Sequence, residues 1–316
     1  MPQLANSMAT FNAVGLRESL ADEIYNISPE ETPFISSIGK GKATAVYEEW
    51  QTDSLRPAGN NRKEQGNEGA PGAITPTARV GNRTQISDDT YAVTGTQEAV
   101  SKAGRKSEIA YQDAKKMVEL KRDVEFAALQ NTTAIPAAAG VAPQARGVLG
   151  WIGTNTVKGA TGVDPNAANN TAPTDGTQVA LTEAMLKSVA QKCWTQGGNP
   201  TLLFVPGAQR STVSGFTGGA TKFDKTEDKT LNATVEVYVG DFGRYSIINS
   251  RHQRDRELFL IEPGRWRLLT LRPMKGEDLA KTGDSKKRMV NTEWTLESKQ
   301  EAANGAIRDL TVPALA

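Results

Sequence analysis

Between Ser101 and Thr132 apolar side chains return at spacings of three and four, at Ala110, Ala114, Met117, Leu120 or Lys121, Val124 and Ala128. Lys106, Glu108, Lys115, Lys116, Glu119, Arg122 and Asp123 fill the other faces. This is the period of an amphipathic helix. About 28 residues at ~1.5 Å each would span roughly 40 Å. The signs of charge alternate, the pattern of a solvated face rather than of a nucleic-acid or membrane surface. A second helix is predicted over 181–198, with Thr182 as N-cap and Gly197 at its end. Met185, Leu186, Val189, Cys193 and Trp194 share its apolar stripe, which makes Cys193 a core residue rather than a nucleophile.

Strand patterns lie on both sides of these helices. Residues 43–52 and 79–100 read as two strands around a tip, 54-SLRPAGNNRKEQGNEGAPGAITP-76, too polar to build a core of its own. That is a protruding hairpin, and a loop this long inside a domain points to function or disorder. Strand 200–206 is followed by a short helix at 207–216. Further strands are read at 233–239, 244–250, 257–261 and 266–272, with hairpin punctuation at Gly240-Asp241 and Pro263-Gly264. The last strand, 289–298, carries Val290, Thr292, Trp294 and Leu296 on one face. The low-complexity loops 157–177 and 217–230 are left open in conformation. The first 42 residues hold one short helix, 17–25, before 28-SPEETPF-34, where Pro29 and Pro33 hold the chain extended. An extended arm gains little unless it lies on something, so the segment is either an arm whose Phe34 and Ile35 dock on another chain or a disordered terminus. The fold class is α+β.

Composition narrows the chemistry. In 316 residues there are 37 Lys+Arg and 36 Asp+Glu, a net charge of +1, which removes the global signature of a nucleic-acid binder. No apolar run reaches the ~18 residues of a membrane span, and the N-terminus lacks the order of a secretion signal, so no membrane partner is expected. One cysteine excludes an internal disulfide, and one histidine, His252, starves zinc and triad chemistry. Dinucleotide, P-loop, HExxH, GxSxG and EF-hand spacings are missing, and no cofactor is called for. Glu48, Asp88 and Glu293 are the carboxylates to which a hydrolase reading would have to turn.

The order of parts, arm, hairpin, long helix, α/β lobe and return strand, resembles the HK97-fold major capsid proteins of tailed bacteriophages. Residues 22-DEIYNISPEETPFISSIGKGKATAVYEEWQTDSLRPA-58 are similar to the arm and hairpin entry of the SU10-type capsid family. So are 105–131 to its spine helix, 145-ARGVLGWIGTN-155 to the segment leaving that helix, and 271–310 to its closing segment. The resemblance implies a structural protein, not an enzyme. It would assemble as hexameric and pentameric capsomers into an icosahedral shell around double-stranded DNA that it touches non-specifically. A portal would be a further partner; scaffolding would be either a separate protein or dispensable, and whether a cement protein joins the shell is left open. The expected location is the virion, after assembly in the host bacterial cytoplasm. The division it implies is an arm (1–45), an extended hairpin (46–98), a peripheral domain (99–154 and 263–316, spine helix 103–131) and an axial domain (155–262). Inter-subunit contacts are expected from Pro29, Pro33, Phe34 and Ile35 of the arm and from Trp50, Leu55, Arg56, Arg62 and Lys63 of the hairpin. The peripheral core is expected around Met117, Leu120, Val124, Trp294 and Leu296. A carboxylate-dependent hydrolase and a tail or adhesin component are the alternatives, the latter weakened by the lack of repeated β modules.

Overall fold

A computed structural model describes residues 31–69, 71–100, 105–216 and 236–313. The expected helix at 17–25, Pro29 and the loop 217–230 lie outside them. The first half of the chain runs α1 (Pro33–Ser37), β1 (Gly39–Lys42), β2 (Tyr47–Thr52), β3 (Ala78–Arg83), β4 (Gln85–Thr94), α2 (Gly95–Ala99) and α3 (Glu108–Gln130). There follow α4 (Val148–Trp151), β5 (Thr156–Val157), α5 (Glu183–Thr195), β6 (Leu202–Pro206), α6 (Gly207–Ser214), β7 (Val237–Gly240) and β8 (Gly243–Ser250). β9 (Leu258–Ile261), β10 (Trp266–Asp278), β11 (Ser285–Ser298) and β12 (Gly305–Ile307) complete the described chain.

These strands form a six-stranded sheet in the order β5-β12-β9-β6-β8-β7, a four-stranded sheet β1-β10-β11-β4, and the separate pair β2-β3. The run 258-LFLI-261 is apolar at every position because the six-stranded sheet is covered on both faces. Leu258, Leu260, Leu203, Val205 and Ile307 point to the side closed by Leu186, Val189 and Cys193 of α5 and Val213 of α6. Phe259, Ile261, Phe204 and Ala306 point to the other, where Val124 and Ala128 of α3 meet Trp266, Trp294 and Leu296 of the four-stranded sheet. Strand alternation thus builds two cores from one sheet.

The helix ends follow their caps. The Thr182 hydroxyl accepts from the Met185 N–H, and Gly197, at φ +82°, lets the Gly198 N–H reach the Cys193 carbonyl at 2.9 Å and close α5. Ser107 caps α3 by accepting from Ala110, so the long helix has 23 residues, shorter than its apolar pattern suggested. β10 and β11 pair beyond their expected limits, with register shifts either side of Arg272 and on to Lys275, where Pro273 can give no ladder hydrogen bond.

Four expectations are corrected. Pro33 does not keep its segment extended; it opens α1, since the first turn of a helix has no use for the missing N–H. Met117 is 36% exposed rather than core. α3 turns a polar face to the four-stranded sheet there: Lys116 pairs with Asp89 at 2.9 Å, and Asp113 meets Tyr91 and Arg288. Ala110 and Ala114 are therefore left exposed with Met117, while Leu120, Val124, Trp294 and Leu296 are all buried. Trp194 leaves the α5 stripe and stands 62% exposed. Finally, residues 305–307, assigned with 263–316 to the long-helix domain, lie in the six-stranded sheet between β5 and β9, where Ala306 and Ile307 enter opposite cores. The loop 157–177 has a definite path: Val163–Thr174 and Asn166–Thr171 bridges run along it, and the Asp309 carboxylate accepts from Gly159 and Gly176 at 3.2 and 2.8 Å.

Candidate assembly site

The hairpin is a short paired base with a long unpaired tip. β2 and β3 register Tyr47 with Arg83 through Thr52 with Ala78, and the Arg79 guanidinium meets Glu49 across the pair at 2.8 Å. Residues 53–77 hold no strand or helix among the described positions. Leu55 and Ile74 are 97% and 93% exposed, and Arg56, Arg62 and Lys63 are exposed as well. Two large apolar side chains held almost wholly in water await a covering surface.

The base is fixed from below. Asn82, buried in β3, donates through its amide to the carbonyls of Arg146 at 3.0 Å and Leu296 at 2.7 Å, and its carbonyl accepts from the Arg146 N–H at 2.8 Å. One side chain therefore joins hairpin, long-helix exit and β11. Trp50, expected to contact a neighbour, packs instead against the chain's own core, its ring 5.6 Å from that of Trp151. The Arg146 guanidinium covers the other indole at 4.8 Å and reaches Ala167 and Asn170 of the 157–177 loop. Asn82 and Arg146 find their partners on different stretches of chain, so the base cannot swing without breaking several buried bonds.

The arm enters at a second fixed point. Glu125 of α3, fully buried, accepts from the N–H groups of Phe34 and Ile35, both at 2.8 Å. Phe34 sets its ring edge-on to Phe204 and Trp266 at 5.8 and 6.1 Å. Both Phe34 and Ile35 are thus part of this subunit's core, which corrects the expectation that they dock on another chain: a short helix, not an extended strand, turns them inward. Burial pushes the Glu125 carboxyl up to about 6, against the pull of its two backbone donors and of Lys121. A folded-state value above the unfolded one near 4.5 means that this group's contribution is complete below pH 4.5 and is lost as pH rises through 6. Glu125→Gln cannot titrate, so the stability of wild type relative to the variant is expected to rise by about 2 kcal/mol on going from pH 7.5 to 4.5. Urea titrations at the two pH values measure it; a constant difference would mean that the buried carboxylate titrates alike in both states.

The residues considered for chemistry do not assemble. Glu293 accepts from Thr84 at 2.8 Å and pairs with Arg272. Glu48 accepts from Thr44 and Ala45 in the turn before β2, and Asp88 faces Asn291 across the β4–β11 ladder. His252 is half-buried, and desolvation lowers its pKa. Burial pushes the Cys193 thiol up to about 12, far from a reactive thiolate. Among the described residues no group of three or more His, Cys, Asp or Glu is placed to hold a metal ion.

A fold of this kind is found in phage capsids. The chain is similar to the capsid structure of Cyanophage P-SCSP1u, with a TM-score of 0.62 at 11% identity over 96% of this chain and 99% of that one. It is likewise similar to the structure of the major capsid and decoration proteins of Phage G, with a TM-score of 0.56 at 11% identity over 98% of this chain and 100% of that one. The architecture is the HK97-like capsid fold. In sequence, the major capsid protein of Escherichia phage Phieco32 is 26% identical over 337 residues, covering 94% of this chain and 95% of that protein. The model of the SU10 major capsid protein family matches residues 4–311, and the chain belongs to that family. It is a major capsid protein of tailed phages, which forms the head shell of the virion; its family is a structural one.

Proposed function

We propose that this subunit closes into hexameric and pentameric rings, and that the hairpin tip bridges each subunit to the next. The observation that carries this is the contrast between a base held by Asn82 and Trp50 and a tip with Leu55 and Ile74 almost fully in water. Leu55, Arg56, Arg62 and Lys63 are the tip residues that meet the neighbour. Residues 1–45 form the arm and 46–98 the hairpin; the peripheral domain comprises 99–154 with 263–300, and the axial domain 155–262 with the returning 301–313. Shell contacts of modest area gain their hold from repetition around closed rings. A net charge of +1 suits subunits packed by the hundred, which would otherwise repel. The shell forms in the bacterial cytoplasm, with a portal, and encloses double-stranded DNA that it touches without sequence preference.

Deleting Gly59 to Gly69 tests the bridge. The variant is expected to remain a soluble, folded subunit by circular dichroism and to lose shells in negative-stain micrographs. Shells of normal size and stability from the deleted chain would refute the bridging role.

A further inference from the structure

Of the five tryptophans, Trp151, Trp266 and Trp294 are buried and Trp50 packs half-buried against the core. Trp194 alone stands out, at 62% exposure on the last turn of α5, one residue past buried Cys193. Its ring lies against that of Phe242 in the β7–β8 turn, the centroids 5.8 Å apart. Val239, on the edge strand leading into that turn, is 40% exposed. Around the indole and its partner ring, Gln191, Thr195 and Gln196 are exposed and uncharged, and Lys192, Asp241 and Arg244 are exposed and charged. An aromatic centre with a polar, solvent-exposed rim is the make-up of an interface anchor.

We infer that Trp194, backed by Phe242, is the anchor by which one copy of this chain docks on the next copy in its ring. The inference rests on the ring-building function proposed above and names a contact within it separate from the hairpin tip.

Two observations select a second copy as the occupant. The first is area. An aromatic side chain buries about 150–250 Å², and a self-sufficient pair of proteins buries about 800 Å² on each partner. Trp194 and Phe242 supply only part of that, which fits a contact made lasting by ring closure rather than a tight stand-alone complex. The second is continuity. Thr195–Gly198, directly after the indole, form one wall of a groove of about 670 Å³, and hairpin residues Gln51–Leu55 form another. The apolar knob therefore runs into the base of the element that bridges subunits. A neighbour covering Leu55 is brought to the edge of Trp194.

The test uses the full chain as wild type, Trp194→Glu, Trp194→Ala and Trp194→Phe. Dilute subunits of all four are expected to melt within about 2 °C of one another, as exposed substitutions do. In sedimentation velocity the Glu and Ala variants are expected to lose at least about tenfold in assembled fraction, with Phe close to wild type. Acrylamide should quench Trp194 in wild-type subunits and cease to do so in wild-type assemblies; the Phe variant, lacking that indole, shows no such change. The inference is overturned if Trp194→Glu assembles like wild type, or if Trp194 stays open to acrylamide in assemblies. Protection that arises only when another virion protein is added would also overturn it, and assign the patch to that protein. A wild-type chain that forms no rings or shells would overturn the ring-building function itself, whereas assembly indifferent to Trp194 overturns this inference alone. Should the Glu variant misfold, the quenching of wild type and the Phe variant still decides.

Discussion

Replacing Phe34 by alanine is expected to cost about 3–5 kcal/mol of subunit stability, as large aromatic truncations in a core do. The ring has no exposure, two aromatic neighbours at 5.8 and 6.1 Å, and a backbone N–H committed to buried Glu125. A cavity at that point faces both sheets at once, because Phe204 belongs to the six-stranded one and Trp266 to the four-stranded one. The surrounding side chains come from three separate stretches of sequence and can collapse only by moving whole elements. Deleting residues 1–40 should accordingly damage folding as well as assembly, since it removes Phe34, Ile35 and half of β1. Urea unfolding followed by circular dichroism measures the change. If Phe34→Ala unfolded at the wild-type midpoint and failed only in assembly, the ring would belong to an interface and not to this core.

What the sequence made legible were the elements whose signals are local. A continuous apolar run set β6 and β9, a threonine and a glycine set the ends of α5, and the polar stretch 54–76 marked a tip unable to fold on its own. Four features resisted for physical reasons. The rotation of α3 is decided by Asp89, Tyr91 and Arg288 on strands it meets only in the fold, so its Ala110–Ala114–Met117 stripe looked like a buried face and is not. β12 has three residues and a glycine, below the length at which alternation can be read. Trp194 adjoins the true stripe of Leu186, Val189 and Cys193 but is turned by about 100° from Cys193, which is enough to carry it out of the core. The anchor of the hairpin was hidden for a further reason: Asn82 finds its partners 64 and 214 residues away. Nothing near it in sequence distinguishes it from a solvated asparagine.

Trp294→Ala is expected to cost about 3–5 kcal/mol, whereas Met117→Ala, on the same long-helix module, should stay within about 0.5 kcal/mol. The contrast follows from which half of α3 meets β11. Trp294 is 1% exposed, shares a cluster with Val124 and Leu296, and donates its indole N–H to the Ser87 hydroxyl of β4 at 3.2 Å. Burying an indole of ~200 Å² at ~25 cal/mol per Å² contributes about 5 kcal/mol before ordering costs. Its removal also leaves a void between helix and sheet that rigid, cross-paired strands cannot close. Met117 sits where the helix–sheet contact is ionic instead, and truncating it removes little buried surface. Thermal melting of both variants as dilute subunits checks the pair. Equal losses would mean that the apolar side of α3 continues unbroken toward its N-terminus, and that the Lys116–Asp89 and Asp113–Arg288 contacts do not set how the long helix is turned on the sheet.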